Sequence, residues 1–143
     1  MISTLFAIWL VWCLGNLALM ALVVPRVPAY TGFRIVMPEY LKQALTMDEY
    51  FAVLAHERGH RHHRHAWWNY ARVCVFWFPG KVRLAAQEIE ADDYALGQGC
   101  ALALATALRK LSRSPLDWVR AKRLEEKDWA AYLRKGYSTE EGE

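Results

Sequence analysis

All five histidines of this chain stand within HERGHRHHRH, residues 56–65. Three readings of that stretch differ in chemistry: a catalytic metal site, a metal-storing cluster, or a basic surface strip. His56, Glu57 and His60 fit the pattern H-E-x-x-H. On a helix, residues i and i+4 lie one above the other, so the imidazoles of His56 and His60 can converge on one zinc ion. Glu57, one step round the helix, can then reach a water on that metal and take its proton. A catalytic zinc also needs a third protein ligand and an open position for water. Downstream, EIEADD at 88–93 offers Glu88 and Asp92, again i and i+4. Glu88 can give the metal a carboxylate, and Asp92 can accept the N–H of a ligand histidine and fix its tautomer. Taken alone, those acidic residues read more readily as a solvated face than as a site.

These residues need helices to hold them, and the sequence supplies start signals. Thr46 and Glu49 form a T-x-x-E capping box, which Leu45 can staple to Tyr50. This predicts a helix from Met47 to about His65. The stretch KVRLAAQEIEADDYALG predicts a second helix carrying Glu88 and Asp92, ended by Gly97 and Gly99. ALALATALRKL and LDWVRAKRLEEKDWAAYLRKG are two further amphipathic helices separated by SRSP, and YSTEEGE reads as a frayed tail. Upstream, PRVPAYTG is a connector, followed by a short edge strand over Phe33, Arg34, Ile35, Val36 and Met37 that Pro38 ends. Residues 39–45 form a brief helix or turn. AWWNYARVCVFWFPG at 66–80 is aromatic-rich, suited to a core or to a membrane surface.

The N-terminus is different in kind. Residues 1–25 contain no Asp, Glu, Lys, Arg or His, and the run from Leu5 to Val24 is interrupted only by Gly15 and Asn16. About 20 apolar residues are what a helix needs to cross the hydrocarbon core. A signal peptide would open on basic residues and close on a small-residue cleavage site, neither of which is evident. Residues 1–25 are therefore expected to be a single-pass transmembrane anchor in contact with lipid, and 26–143 a compact domain. Arg26 and Arg34 follow the anchor, which by the positive-inside tendency puts that domain in the cytoplasm. Cys13, Cys74 and Cys100 are scattered and odd in number, which suits reduced thiols. A net charge of +3 without a binding motif argues against a nucleic-acid partner.

The joint pattern, H-E-x-x-H with another His five residues on and then E-x-x-x-D with Ala before the Asp, resembles the gluzincin zinc metallopeptidases of the CaaX prenyl protease and heat-shock protease type. FWFP at 76–79 also resembles the peptidase domain of beta-lactam sensor-transducers. The matching segment runs from about 33 to about 111. The resemblance implies a mainly α fold with a small β element (α+β), in a minimal single-domain form. It implies one Zn²⁺ per chain held by His56, His60 and Glu88, with Glu57 as general base and Asp92 behind a ligand histidine. It implies a protein or peptide substrate that adds as a strand beside 33–37, and a prokaryotic or phage source. Two features depart from the family. Arg58 stands where an aliphatic residue is usual, and RHHR at 61–64 is unusually basic. Tyr94 and His65 are candidates for stabilising the transition state; for His65 a packing or capping role is expected ahead of metal binding, and His62 and His63 are expected at the surface.

The leading expectation is thus a membrane-anchored zinc endopeptidase. The alternatives are a catalytically inactive peptidase-like interaction protein in which Arg58 spoils the site, and a His-rich metal-binding or sensing membrane protein.

Overall fold

The computed structural model describes residues 2–138 apart from 79 and 113, with side chains described over 3–130. Among the described residues the chain forms seven α-helices and one two-stranded sheet, the expected mainly α fold with a small β element. The order is α1 (Ile2–Leu22), β1 (Ala29–Tyr30), β2 (Ile35–Val36), α2 (Leu41–Ala44), α3 (Met47–His62), α4 (His65–Cys74), α5 (Lys81–Gly97), α6 (Ala101–Leu111) and α7 (Pro115–Ser138). Two compact units emerge, one from residues 1–38 with 57–91, the other from 39–56 with 92 onwards. Helices α3 and α5 each contribute to both units.

In the first unit, α1 is long and apolar enough to cross a membrane. Its residues Leu5, Phe6, Ile8 and Val11 are exposed, the kind of apolar surface that marks a membrane or protein contact. One side of α1 meets α4: the indole N–H groups of Trp9 and Trp12 donate to Cys74 O at 2.8 Å and Val73 O at 3.0 Å. Those carbonyls belong to the last turn of α4, beyond the reach of the helix's own i+4 amides, although Phe76 N–H also meets Val73 O at 3.0 Å. The Tyr70 hydroxyl donates to Cys13 O at 3.2 Å. Beyond α4 the backbone turns at Phe76, whose φ is 58°.

The expected strand over 33–37 is shorter than the sequence suggested. Only Ile35 and Val36 form β2, paired antiparallel with β1 as Ala29↔Val36 and Tyr30↔Ile35. Phe33 and Arg34 lie in the turn, and Met37 follows the strand. The residues read as a connector therefore supply half of a hairpin, because Thr31 N–H closes the turn on Arg34 O at 3.0 Å. Gly32 suits this turn because its φ of 97° is a conformation that residues with a Cβ rarely adopt. Its carbonyl is held by Tyr30 OH at 2.6 Å and Trp67 Nε1 at 3.0 Å.

In the second unit the capping box forms as its sequence dictates. Thr46 N–H donates to Glu49 Oε2 at 2.8 Å, and Glu49 N–H to Thr46 Oγ1 at 3.3 Å. Lys110 Nζ joins the same carboxylate oxygen at 2.7 Å. The Lys110 ammonium, the Thr46 N–H and its hydroxyl hold the Glu49 carboxyl below its ordinary value of 4.5, against burial. Because the folded value is lowered, this stabilisation is present above pH 4.5 and is lost as pH falls through the folded value. Thr46→Ala is expected to cost about 1 kcal/mol, and Glu49→Gln to flatten the acid limb of a pH-dependent urea-unfolding series; an unchanged acid limb would contradict this role.

Helix α6 buries Ala101, Leu104, Ala105 and Ala107, and α7 buries Ala121 and Leu124. The small alanine side chains let the two helices pack closely, with Arg109 Nη2 donating to Glu125 at 2.7 Å. Between them, Ser114 Oγ accepts from Leu116 N–H at 3.2 Å. Ser114 thus caps α7 with Pro115 at its first position, where a missing N–H costs nothing. Gly99, at φ 75°, ends the preceding turn after α5. Tyr137 and Ser138 still belong to α7; the remainder of the expected tail, 139–143, and the expected break at Pro79 lie outside the described residues.

Candidate metal centre

Helix α3 carries His56, Glu57 and His60, and α5 carries Glu88 and Asp92. In each helix the spacing of four puts the outer two residues one turn apart on one face.

Within the second unit, His56 Nδ1 lies 2.9 Å from Asp92 Oδ1. The Asp92 side chain is 0% exposed and is gripped from its far side by Arg120, whose Nε and Nη2 donate to Oδ2 and Oδ1 at 2.8 and 2.7 Å. This is the fork geometry that makes Arg the strongest partner for a carboxylate. Burial alone would push the Asp92 carboxyl up, yet Arg120 and His56 together hold it below its ordinary range. An ionised Asp92 facing Nδ1 keeps a proton on that nitrogen and makes Nε2 the acceptor nitrogen of the His56 ring. Arg120 also reaches Asp117 Oδ1 at 3.2 Å.

Within the first unit, Glu57 is buried and Arg58 is exposed, so the charge that departs from the usual pattern projects into solvent. His60 Nε2 lies 3.5 Å from Glu88 Oε1. On its other side, His60 Nδ1 is 2.8 Å from His65 Nδ1, and His65 Nε2 is 2.7 Å from Glu90 Oε2. Both His62 and His63 are exposed, as expected.

The placement of His65 corrects the expected length of the first helix. α3 stops at His62, and Arg64 takes the left-handed conformation at φ 55° before α4 begins at His65. No Gly or Pro announces this break. It turns His65 back onto His60, a position that a continuing helix could not supply. His65 is consequently a buried link between His60 and Glu90. Tyr94 is partly buried on α5.

Two participants escaped the sequence reading. Glu90 looked like part of a solvated acidic run. Arg120 looked like one charge among many on an amphipathic helix, although one signal was present: Ala121 and Leu124 mark the buried face of α7, and Arg120 stands one turn before Leu124. A charge on a core face requires a buried partner of opposite sign.

The donor types assembled here, imidazole and carboxylate, are those that bind zinc. Comparison with known proteins agrees. No curated protein and no solved structure matches the chain, but the family model described as Peptidase family M48 matches residues 19–122. That span covers all of α2 to α6 and most of the residues described above, and it implies zinc metallopeptidase chemistry in general. The chain belongs to peptidase family M48.

Proposed function

We propose that the chain is a membrane-anchored zinc endopeptidase, with residues 1–25 as a single-pass anchor and 26–143 as the peptidase domain on the cytoplasmic side. His56, His60 and Glu88 hold the zinc, Glu57 is the general base, and Asp92 positions His56. The observation that carries this reading is that one turn of α5 supplies a partner to each histidine of the motif, Glu88 to His60 and Asp92 to His56. The 3.5 Å between His60 Nε2 and Glu88 Oε1 also suits two ligands of one tetrahedral ion, whose bonds of about 2.0–2.2 Å put ligand atoms roughly 3.3 Å apart.

Bound there, zinc supplies a Lewis acid for the scissile carbonyl and for the attacking water. The Glu57 carboxylate takes a proton from that water and passes it to the amine that leaves. Its burial supports this role, because bulk water is kept from competing for the proton it moves. Asp92 accepts the Nδ1 proton of His56 and so presents Nε2, and Arg120 keeps Asp92 ionised. The edge of β2 not paired with β1 presents backbone groups of Ile35 and Val36 against which an extended peptide can add.

The test is cleavage of a quenched-fluorescent peptide library by the detergent-purified chain. Hydrolysis that a chelator abolishes and stoichiometric Zn²⁺ restores is expected. Cleavage that persists after the metal has been removed would overturn the proposal.

A further inference from the structure

A second cluster in the first unit plays no part in the chemistry above. A cavity of about 220 Å³ has His63, His65, Trp68, Arg83 and Glu90 among its walls. His63, His65 and Glu90 each offer one ligand atom, and these atoms lie within 4.8 Å of one another. The ring of His63 stacks on that of His65 at 5.4 Å and 15°. Had α3 continued, residues 63 and 65 would point about 200° apart. The left-handed Arg64 brings them to one side instead.

We infer that His63, His65 and Glu90 form a second, solvent-accessible site for a divalent cation of the zinc, nickel or copper class. Two imidazoles and one carboxylate are the donors such ions select, and the exposed face leaves room for water as further ligands. His65 Nε2 and Glu90 Oε2 are now 2.7 Å apart. An ion between them needs about 3.3 Å, and Glu90, with 54% of its side chain exposed, has the freedom to open that gap. Arg83 shares the cavity, so its charge sets the affinity below that of a closed structural site.

The site has a consequence for the proposed catalytic zinc, resting on the reading of His60 as a ligand. His60 Nδ1 and His65 Nδ1 face each other at 2.8 Å, so one donates and the other accepts. Metal on His60 Nε2 leaves the His60 proton on Nδ1, which fixes the His65 proton on Nε2, towards Glu90. A cation on His65 Nε2 requires the opposite arrangement, and both ions together would set two N–H groups against each other. Occupancy of the second site therefore opposes zinc on His60.

Zn²⁺ titration of the full chain in detergent, followed by calorimetry and elemental analysis, tests this. A His56→Ala/Glu88→Ala variant is expected to keep one zinc per chain, bound about tenfold or more weakly once His63→Ala or Glu90→Gln is added. In the otherwise unaltered chain, His63→Ala, at an exposed position, should weaken only the later of two uptake steps. His60→Ala should tighten the second site relative to wild type. Failure of the His56→Ala/Glu88→Ala variant to take up zinc while still folded, or uptake indifferent to His63 and Glu90, would overturn the second site and leave the proposed peptidase centre standing. Wild-type zinc held solely by His63, His65 and Glu90 would do the reverse, and unchanged affinity in His60→Ala would overturn the antagonism.

Discussion

Glu57→Gln is expected to reduce peptide hydrolysis by at least about 10²–10⁴-fold, the usual contribution of a positioned general base, while zinc content stays at the wild-type level. The amide fills the volume of the carboxylate, so α3 and the neighbouring His56 and His60 keep their places. What it loses is the ability to accept a proton. Because Glu57 is buried, bulk buffer cannot readily replace it, and the loss should appear in kcat with little change in KM. Single-turnover kinetics beside elemental analysis separates the two effects. Activity retained in a zinc-loaded Glu57→Gln protein would sink the mechanism; zinc lost together with activity would assign Glu57 a structural part instead.

Arg120→Ala is expected to cost stability on the order of 3–5 kcal/mol, the scale for removing one partner of a buried ion pair. Asp92 has no exposed surface, and without Arg120 its charge would be desolvated with only His56 opposite. A loss of that size corresponds to a fall in Tm of roughly 10 °C or more. Asp92→Asn combined with Arg120→Met should recover part of it, because the uncompensated charge is then gone. Differential scanning calorimetry of the single and double variants checks this. A Tm within about 2 °C of wild type for Arg120→Ala would show that the pair is not what holds this end of α5 to α7.

These two predictions draw on the sequence to different degrees. The helix that carries Glu57 was legible at once, because the Thr46–Glu49 capping box announces it in advance. Glu88 and Asp92 were legible as a pair by a spacing of four on a helix ended by Gly97 and Gly99. Arg120 was not, since its partner lies 28 residues away and amphipathic periodicity shows which face of α7 is buried without showing what it is buried against. Likewise β1 was hidden in PRVPAYTG, where two Pro and a Gly read as a connector. A hairpin of two residues per strand is made by its turn, here Thr31 to Arg34, more than by strand propensity. The end of α3 was the hardest to see. Arg64 adopts a conformation that non-glycine residues avoid, and its cost is met by contacts, His65 with His60 and Glu90, that no local pattern encodes.

The central claim is a zinc site made by α3 and α5 together. Its most direct test is zinc per chain, by elemental analysis of detergent-purified protein dialysed to remove weakly held metal, for wild type beside Glu88→Ala. One zinc more per chain in wild type than in the variant is the predicted result. Zinc unaffected by Glu88→Ala, or almost none in either protein, would contradict it.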